Sequence, residues 1–371
     1  MLFPLEPNTP EFAVFTALNA ELLYFLEHAI PAGGFNRQSL SDTPLGLACW
    51  NNARTSTDKG KLTHDKFKAL HEALQTESED LRRRLYETVS DNQDLVGLFQ
   101  QRKHDLLAFL PAALMTHLQT LCYHLYTHTK ALVGVIAAAG GVNIDRHFTA
   151  FKAINGQVCR ACGLEVVAPF RANIPDEEQW RADYDHLLCK SKYPVFAVHP
   201  KNLFPICRTC NQDAKKTKDM FFCNTARQQR HSFYPYTEGA SQLVDLDIEL
   251  NDTSPKVRVR LESDDPVLKS KLDTWNDVFE IKNLVEGRYL PLEHYVEDNI
   301  GPRDLLDFQA LVERKRIAPS ADTLKRSPGK FWDHKLYMAL SRIDLDLVWS
   351  VVEFQQQEHG ATGGEAILAG V

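Results

Sequence analysis

The most informative stretch of this chain is residues 159–216, CRACGLEVVAPFRANIPDEEQWRADYDHLLCKSKYPVFAVHPKNLFPICRTCNQDAKK. It opens with one C-x-x-C pair, Cys159 and Cys162, and after 44 intervening residues it closes with a second, Cys207 and Cys210. Each pair places two sulfurs on one tight turn, and two such turns complete the tetrahedral coordination of a structural zinc ion. The four cysteines therefore predict a Zn²⁺ site that contributes to folding.

The polar motifs between and just after these pairs resemble those of a known family. They read Asp185-His186, then Asn202-Leu203, then Cys210-Asn211 with lysines close behind. This order resembles the HNH endonucleases, or ββα-metal nucleases, most closely the variants found in bacterial antiphage systems such as Septu and some retrons. In that family a strand ending in Asp-His is followed by a second strand and by a helix that supplies the last metal ligand. The resemblance covers roughly 90 residues around the cysteine pairs.

The resemblance implies hydrolysis of DNA phosphodiester bonds, by nicking or by double-strand cleavage. It implies His186 as the general base, Asn202 as the group that holds His186 in its productive tautomer, and Asp185 and Asn211 as ligands of catalytic Mg²⁺ or Mn²⁺. The residue types suit these roles, because a neutral imidazole can accept a proton near pH 7. Carboxylate and amide oxygens are hard donors that suit Mg²⁺.

The charge distribution indicates where nucleic acid would bind. The net charge is −7, but residues 145–232 carry 14 Lys and Arg against 9 Asp and Glu, which leaves −12 on the remainder. We take as candidate nucleic-acid contacts the lysines Lys190, Lys192, Lys201, Lys215 and Lys216. The alternative is a solvated charged face. The acidic flanks predict weak DNA binding by the isolated chain and a partner that delivers substrate. The resemblance implies that this partner is an ATPase subunit of a defence complex; the alternative is a homo-oligomer of this chain.

Composition predicts the class of protein and its compartment. The chain has 371 residues, 44% hydrophobic and 25% charged, which is typical of a soluble protein with two or three domains. No signal-peptide pattern and no long apolar run are present, so we expect no membrane association. Eight cysteines, four of them assigned to a metal, fit a reducing compartment and predict a cytoplasmic protein.

The predicted fold class is α+β, with a zinc-stabilised HNH core between two flanking regions. We predict a mainly α-helical N-terminal domain at 1–144, the nuclease domain at 145–240, and an α+β, mostly helical C-terminal region with a flexible tail at 241–371. Apolar periodicity predicts helices over residues 11–30, 63–89, 92–139, 266–288, 305–316 and 332–357. The stretch 92–139 is either one broken helix or two, because Pro111 interrupts it. Alternating residues predict strands at 243–251 and 256–263, with a turn between them.

Three other functions stay open at this point. The chain could be a stand-alone homing or restriction-type nuclease, which the acidic flanks disfavour, or it could cleave RNA. It could instead be a non-catalytic zinc module that binds nucleic acid or a protein. Such a module needs the cysteines but has no use for Asp185, His186, Asn202 and Asn211 together, which favours the enzyme.

Overall fold

The computed structural model describes residues 1–52, 62–175, 178–250 and 255–362, with side chains as far as residue 353 in the last range. It is a mixed α+β protein, about 53% helical, with small antiparallel sheets. This confirms the predicted α+β class, while the HNH core stays a prediction. The chain divides into two compact units. The larger unit comprises Pro4–Gly156 and Val167–Thr237, and the smaller unit comprises Met1–Phe3, Gln157–Val166 and Glu238–Val371. The three-domain division stays a prediction, since compact units and separately folding domains are different properties.

The first part of the larger unit is helical, as predicted. Its described helices are α1 (Ala13–His28), α2 (Pro44–Asn51), α3 (Thr63–Gln75), α4 (Glu79–Asp91), α5 (Leu95–Gln101), α6 (Ala112–Thr127), α7 (Val133–Ala138) and α8 (Ile144–Asn155). The predicted helix over 63–89 is two helices, because the Ser78 hydroxyl accepts a hydrogen bond from the backbone of Leu81 and caps α4. Gly140 and Gly141, both at positive φ, follow the end of α7.

Apolar spacing explains how these helices pack. Helix α6 buries Leu114, Leu118, Leu121 and Leu125, which recur every three or four residues along one face. This face packs against α3. Tyr123 lies elsewhere on α6 and is 53% exposed, so one side of the helix is in the core and another is available to neighbours.

The second part of the larger unit holds the motif residues on short elements. Strand β1 (Tyr184–His186) pairs antiparallel with β2 (Leu203–Pro205), with Asp185 opposite Phe204. A π-helical segment, Thr209–Lys215, follows β2. Strands β3 (Phe222–Cys223) and β4 (Gln228–Gln229) form a second small pair. The chain order is therefore strand, loop, strand and helical segment.

The smaller unit contains the two strands predicted from alternating residues. Strands β5 (Val244–Glu249) and β6 (Lys256–Leu261) pair antiparallel, which confirms them, and residues 251–254 of the predicted turn lie outside the described residues. The described helices are α9 (Pro266–Phe279), α10 (Ile281–Arg288), α11 (Leu292–Tyr295), α12 (Leu305–Lys315), α13 (Ala321–Arg326), α14 (Lys330–Leu340) and α15 (Leu345–Thr362). The predicted helix over 332–357 is thus two helices, and residues 363–371 of the predicted tail lie outside the described residues. Within the described parts of the chain, no helix combines the length and apolarity needed to cross a membrane.

Candidate functional site

The four predicted zinc ligands come together. One sulfur from each of Cys159, Cys162, Cys207 and Cys210 lies within 4.8 Å of the others, and all four residues are buried. Four cysteine sulfurs at this spacing are the donor set of a closed structural site. The cluster can therefore hold a metal ion such as zinc.

At each C-x-x-C turn a backbone amide donates a hydrogen bond to a cysteine sulfur. The amide of Leu164 donates to Sγ of Cys162 at 3.4 Å, and the amide of Cys210 donates to Sγ of Cys207 at 3.5 Å. Gly163 adopts a φ of 72°, a left-handed conformation that glycine enters without steric cost. Amide groups that donate to the sulfurs in this way are compatible with cysteine ligands of a metal ion.

Three of the four predicted catalytic residues line one cleft of the larger unit. Asp185 and His186 reach it from β1, and Asn211 reaches it from the π-helical segment. The cleft has a volume of about 390 Å³, and Lys190 and Lys216 also line it. Residues that are 25 positions apart in sequence are therefore neighbours here.

His186 is held in one tautomer by a backbone carbonyl. Its Nε2 lies 3.0 Å from the carbonyl oxygen of Ala197. A carbonyl only accepts hydrogen bonds, so Nε2 carries the proton and Nδ1 is the acceptor nitrogen of the neutral ring. The ring of Tyr126 packs edge-on at 4.4 Å. Burial, and then the nearby Lys190 ammonium, lower the pKa of His186 to about 3, so the ring is neutral at pH 7.

Asn202 acts on the loop rather than on the histidine itself. It is fully buried, and its Nδ2 donates to the carbonyls of Leu188 and Phe196 at 3.1 and 2.9 Å. Its Oδ1 accepts from the amide of Leu188 at 2.8 Å. The carbonyl that sets the tautomer of His186 belongs to Ala197, the residue after Phe196. Sequence reasoning missed Ala197, because a backbone carbonyl leaves no signal in residue type.

Asp185 forms a buried ion pair with Lys215. The Lys215 ammonium lies 2.7 Å from Oδ1 of Asp185 and also donates to the backbone carbonyl of His186. The side chains of Lys215 and Asp185 are 1% and 3% exposed. Lys215 was predicted to contact nucleic acid, but in this structure it presents almost no surface to a phosphate. It instead joins the helical segment to β1.

The other four lysines of the prediction differ in position. Lys190 and Lys216 line the cleft, and Lys216 is exposed. Lys192 forms an ion pair with the buried carboxylate of Asp219 at 3.1 Å. Lys201 is exposed and lines a separate cavity of about 440 Å³. Two of the five lysines are therefore placed to meet a phosphate in the cleft.

Two further residues of the cleft were not predicted. Asp183 is exposed and lies two residues before Asp185, and its Oδ2 accepts from Nε2 of Gln212 at 2.8 Å. The D-x-D spacing was a usable signal, since residues two apart on a strand share a face. Tyr126 lines the same cleft from α6. No local pattern marks it, because its partner β1 lies far along the chain.

No protein-family model, curated protein or solved structure matched this chain in the comparisons.

Proposed function

We propose that this chain is a metal-dependent endonuclease of the HNH type that hydrolyses DNA phosphodiester bonds. The observation that carries the proposal is the cleft in which Asp185, His186 and Asn211 meet. The order of β1, β2 and the π-helical segment supports it, because it is the element order of the family that the motifs resemble.

The chain's own residues would supply the base and part of the positive charge. Nδ1 of His186 would accept a proton from the attacking water, and the Ala197 carbonyl keeps the ring in the tautomer that allows this. The ammonium groups of Lys190 and Lys216 would offset phosphate charge at the cleft. A bound phosphate would also favour the imidazolium that forms when His186 takes the proton.

The donor set of the cleft fits a hard divalent cation. Asp185 and Asn211 would hold Mg²⁺ or Mn²⁺ through oxygen atoms, and the carboxylate of Asp183 lies in the same cleft. When bound, the ion supplies positive charge that stabilises the phosphate in the transition state. Lys215 already neutralises Asp185, so the ion and the ammonium would share one carboxylate.

The remaining parts of the proposal are the role of zinc, the biological target and the cellular compartment. Zinc at the four cysteines would have a structural role. Action against phage or other foreign DNA rests on the motif resemblance, and delivery of substrate by a partner rests on the acidic flanks. The cysteine content, which fits a reducing compartment, would place the chain in the cytoplasm.

The test is cleavage of supercoiled plasmid by the purified chain with Mg²⁺, Mn²⁺ or EDTA. We expect metal-dependent conversion to open-circle DNA first, because one site cuts one strand at a time. His186→Ala should lower the rate by about 100-fold or more, the usual contribution of a general base. His117→Ala, at an exposed histidine of α6, is the matched control and should cut like the unaltered chain.

The result that overturns the mechanism is equal cleavage by the unaltered chain and by His186→Ala. If neither plasmid nor single-stranded DNA is cut but labelled RNA is, the metal chemistry stands and the DNA assignment fails. If no nucleic acid is cut even after addition of cell extract, the binding-module alternative replaces the enzyme.

A further inference from the structure

Helix α6 lies along one side of the cleft. It presents two tyrosine rings there and forms hydrogen bonds with neighbouring segments. Tyr123 and Tyr126 lie three residues apart on this helix and share a face. Gln119, one turn earlier, donates from Nε2 to the carbonyl of Ser191 at 2.8 Å, and the Tyr126 hydroxyl lies 3.4 Å from the carbonyl of Tyr184. These contacts hold α6 against β1 and against the loop that follows it.

Lys190 lies between the two rings. Its ammonium is 4.8 Å from the ring centre of Tyr123 and 5.0 Å from that of Tyr126. A second ammonium, that of Lys130, lies 3.9 Å from the ring centre of Tyr126. Cation–π contacts of this kind restrict the rings and keep positive charge beside them. We call Tyr123, Tyr126, Lys130 and Lys190 the α6 shelf.

The shelf is partly buried and partly open. Tyr126 lines the catalytic cleft and packs on His186, whereas Tyr123 is 53% exposed. A single exposed tyrosine on a helix surface is common and does not by itself indicate a binding site. Here the ring lies beside Lys190, which itself lines the cleft, so aromatic surface and positive charge continue out of the site together.

The local electrostatics favour an anion at the shelf. Burial, and then repulsion by Arg181 and Lys190, lower the pKa of Lys130 to about 8. Of the nearby carboxylates, Asp145 pairs with Arg181 and Asp185 pairs with Lys215. The third, Asp183, attracts Lys130 and Lys190 and offsets part of their charge. Positive charge at this place would gain from a negatively charged ligand.

We propose that the α6 shelf binds a single strand of nucleic acid, with one base stacked on Tyr123 and the adjacent phosphates at Lys190 and Lys216. This inference rests on the proposed nuclease function, because it assigns the kind of strand that enters the same cleft. The preferred substrate is therefore DNA with a single-stranded or unpaired segment at the cut.

The aromatic ring distinguishes a single strand from a duplex. In a duplex the faces of the bases are covered by their neighbours, so only phosphates and base edges are available to the protein. In a single strand the faces are accessible, and stacking of one base on an aromatic side chain contributes about 1–3 kcal/mol. Lysines alone would bind both forms through their phosphates.

The test is fluorescence anisotropy of the full, zinc-loaded chain in buffer without Mg²⁺ or Mn²⁺, which keeps a metal-dependent nuclease inactive. The probes are a fluorescein-labelled single-stranded 20-mer and the duplex of the same sequence. Tyr123→Ala should weaken single-strand binding about tenfold and duplex binding by less than about twofold. Tyr123→Phe, which keeps the ring, should bind like the unaltered chain. Tyr86→Ala, at a half-exposed tyrosine of α4, is the control.

Lys190→Gln supplies an independent readout. It should weaken both probes and lower the slope of log affinity against log salt by about one, as expected for the loss of one phosphate contact. The inference is overturned if Tyr123→Ala binds like Tyr86→Ala, if it weakens both probes equally, or if the unaltered chain does not bind the single strand at low salt.

Failure here and failure of the proposed function are distinguishable. Tyr123-dependent binding without metal-dependent cleavage would overturn the nuclease and keep the shelf. Cleavage that requires His186 but proceeds unchanged in Tyr123→Ala, on plasmid and on single strands, would keep the nuclease and overturn the shelf.

Discussion

Lys215 places a buried ammonium beside the carboxylate that we assign to metal binding. A buried ion pair is costly to break from one side, because the remaining charge stays in a poorly solvated place. In this position Lys215 compensates Asp185 before any metal binds, and it also fixes the strand that carries His186. The same ammonium would compete with a divalent cation for Asp185.

Lys215→Met should therefore have two opposite effects. In the zinc-loaded chain without Mn²⁺ we expect a loss of about 3–5 kcal/mol in the free energy of unfolding, as for other buried pairs that lose one partner. Added Mn²⁺ should raise the unfolding temperature of the variant by about 3 °C more than that of the unaltered chain, which for a unit of this size is about 1 kcal/mol. Thermal unfolding with and without Mn²⁺ measures both effects.

Lys192→Met is the matched control, because its ammonium pairs with Asp219 and does not line the cleft. It should show the same response to Mn²⁺ as the unaltered chain. Identical Mn²⁺ responses of Lys215→Met and Lys192→Met would contradict competition at Asp185.

At the residue scale, the motif selected three side chains that line one cleft, and it selected Asn202 as a positioning residue, but it did not reveal the contacts through which positioning occurs. Asp185, His186 and Asn211 could be predicted because their types and order match a motif. The burial of Lys215 could not, since it is one of two adjacent lysines and such pairs are usually at the surface. The carbonyl of Ala197 has no side-chain signal at all.

At the scale of elements, the loop between β1 and β2 holds the ring of His186, the proposed base, through the Ala197 carbonyl. The loop carries Ala197, and its two ends are joined by the buried amide of Asn202 through three hydrogen bonds. A loop closed in this way presents its carbonyl to His186 from a fixed position. Asn202 is thus a positioning residue that acts through the loop.

Asn202→Ala should lower both stability and activity. Loss of the side chain leaves buried backbone groups without partners, which costs about 1–3 kcal/mol. Movement of the Ala197 carbonyl should then lower the nicking rate about tenfold or more, even where the variant is fully folded. Urea unfolding and plasmid nicking at a temperature well below unfolding measure the two effects separately.

Asn224→Ala, at an exposed asparagine of the same unit, is the control and should leave both quantities nearly unchanged. A stability loss for Asn202→Ala without any loss of nicking would show that the loop does not position His186.

Elements with strong local patterns were predictable, and so was the interruption at Pro111, which precedes the first residue of α6. Other breaks within the predicted helices were not predictable. The alternation in β5 and β6 specifies strands with one buried face. The segments over 63–89 and 332–357 were predicted as single helices, but each contains a break that a local cap or turn produces. Short strands such as β1 and β2, three residues each, are too brief for periodicity to identify them.

At the scale of the whole molecule, the cleft depends on contacts between distant parts of the chain. The hydrogen bonds that place α6 beside it join residues 58 and 72 positions apart. Periodicity identifies the buried face of α6 but does not identify its partner. The α6 shelf therefore could not be predicted from the sequence, which indicated only a helical region without catalytic residues.

Zinc should stabilise the whole molecule, because it would join two cysteine pairs that are 44 residues apart in the chain. A ligand at about 1,000 times its dissociation constant stabilises a fold by about 4 kcal/mol. For a unit of this size that corresponds to a fall of about 8–16 °C in unfolding temperature when zinc is removed.

Metal analysis should find one zinc per chain, and Cys207→Ser should lose it and unfold at the lower temperature. Cys223→Ser, at a half-exposed cysteine outside the cluster, should keep both properties. A metal-free chain that unfolds at the same temperature as the zinc-loaded chain would contradict the structural role. Nicking measured on both forms below that temperature then separates the two metals: loss of zinc should act through folding, whereas removal of Mg²⁺ or Mn²⁺ should stop cleavage in a folded chain.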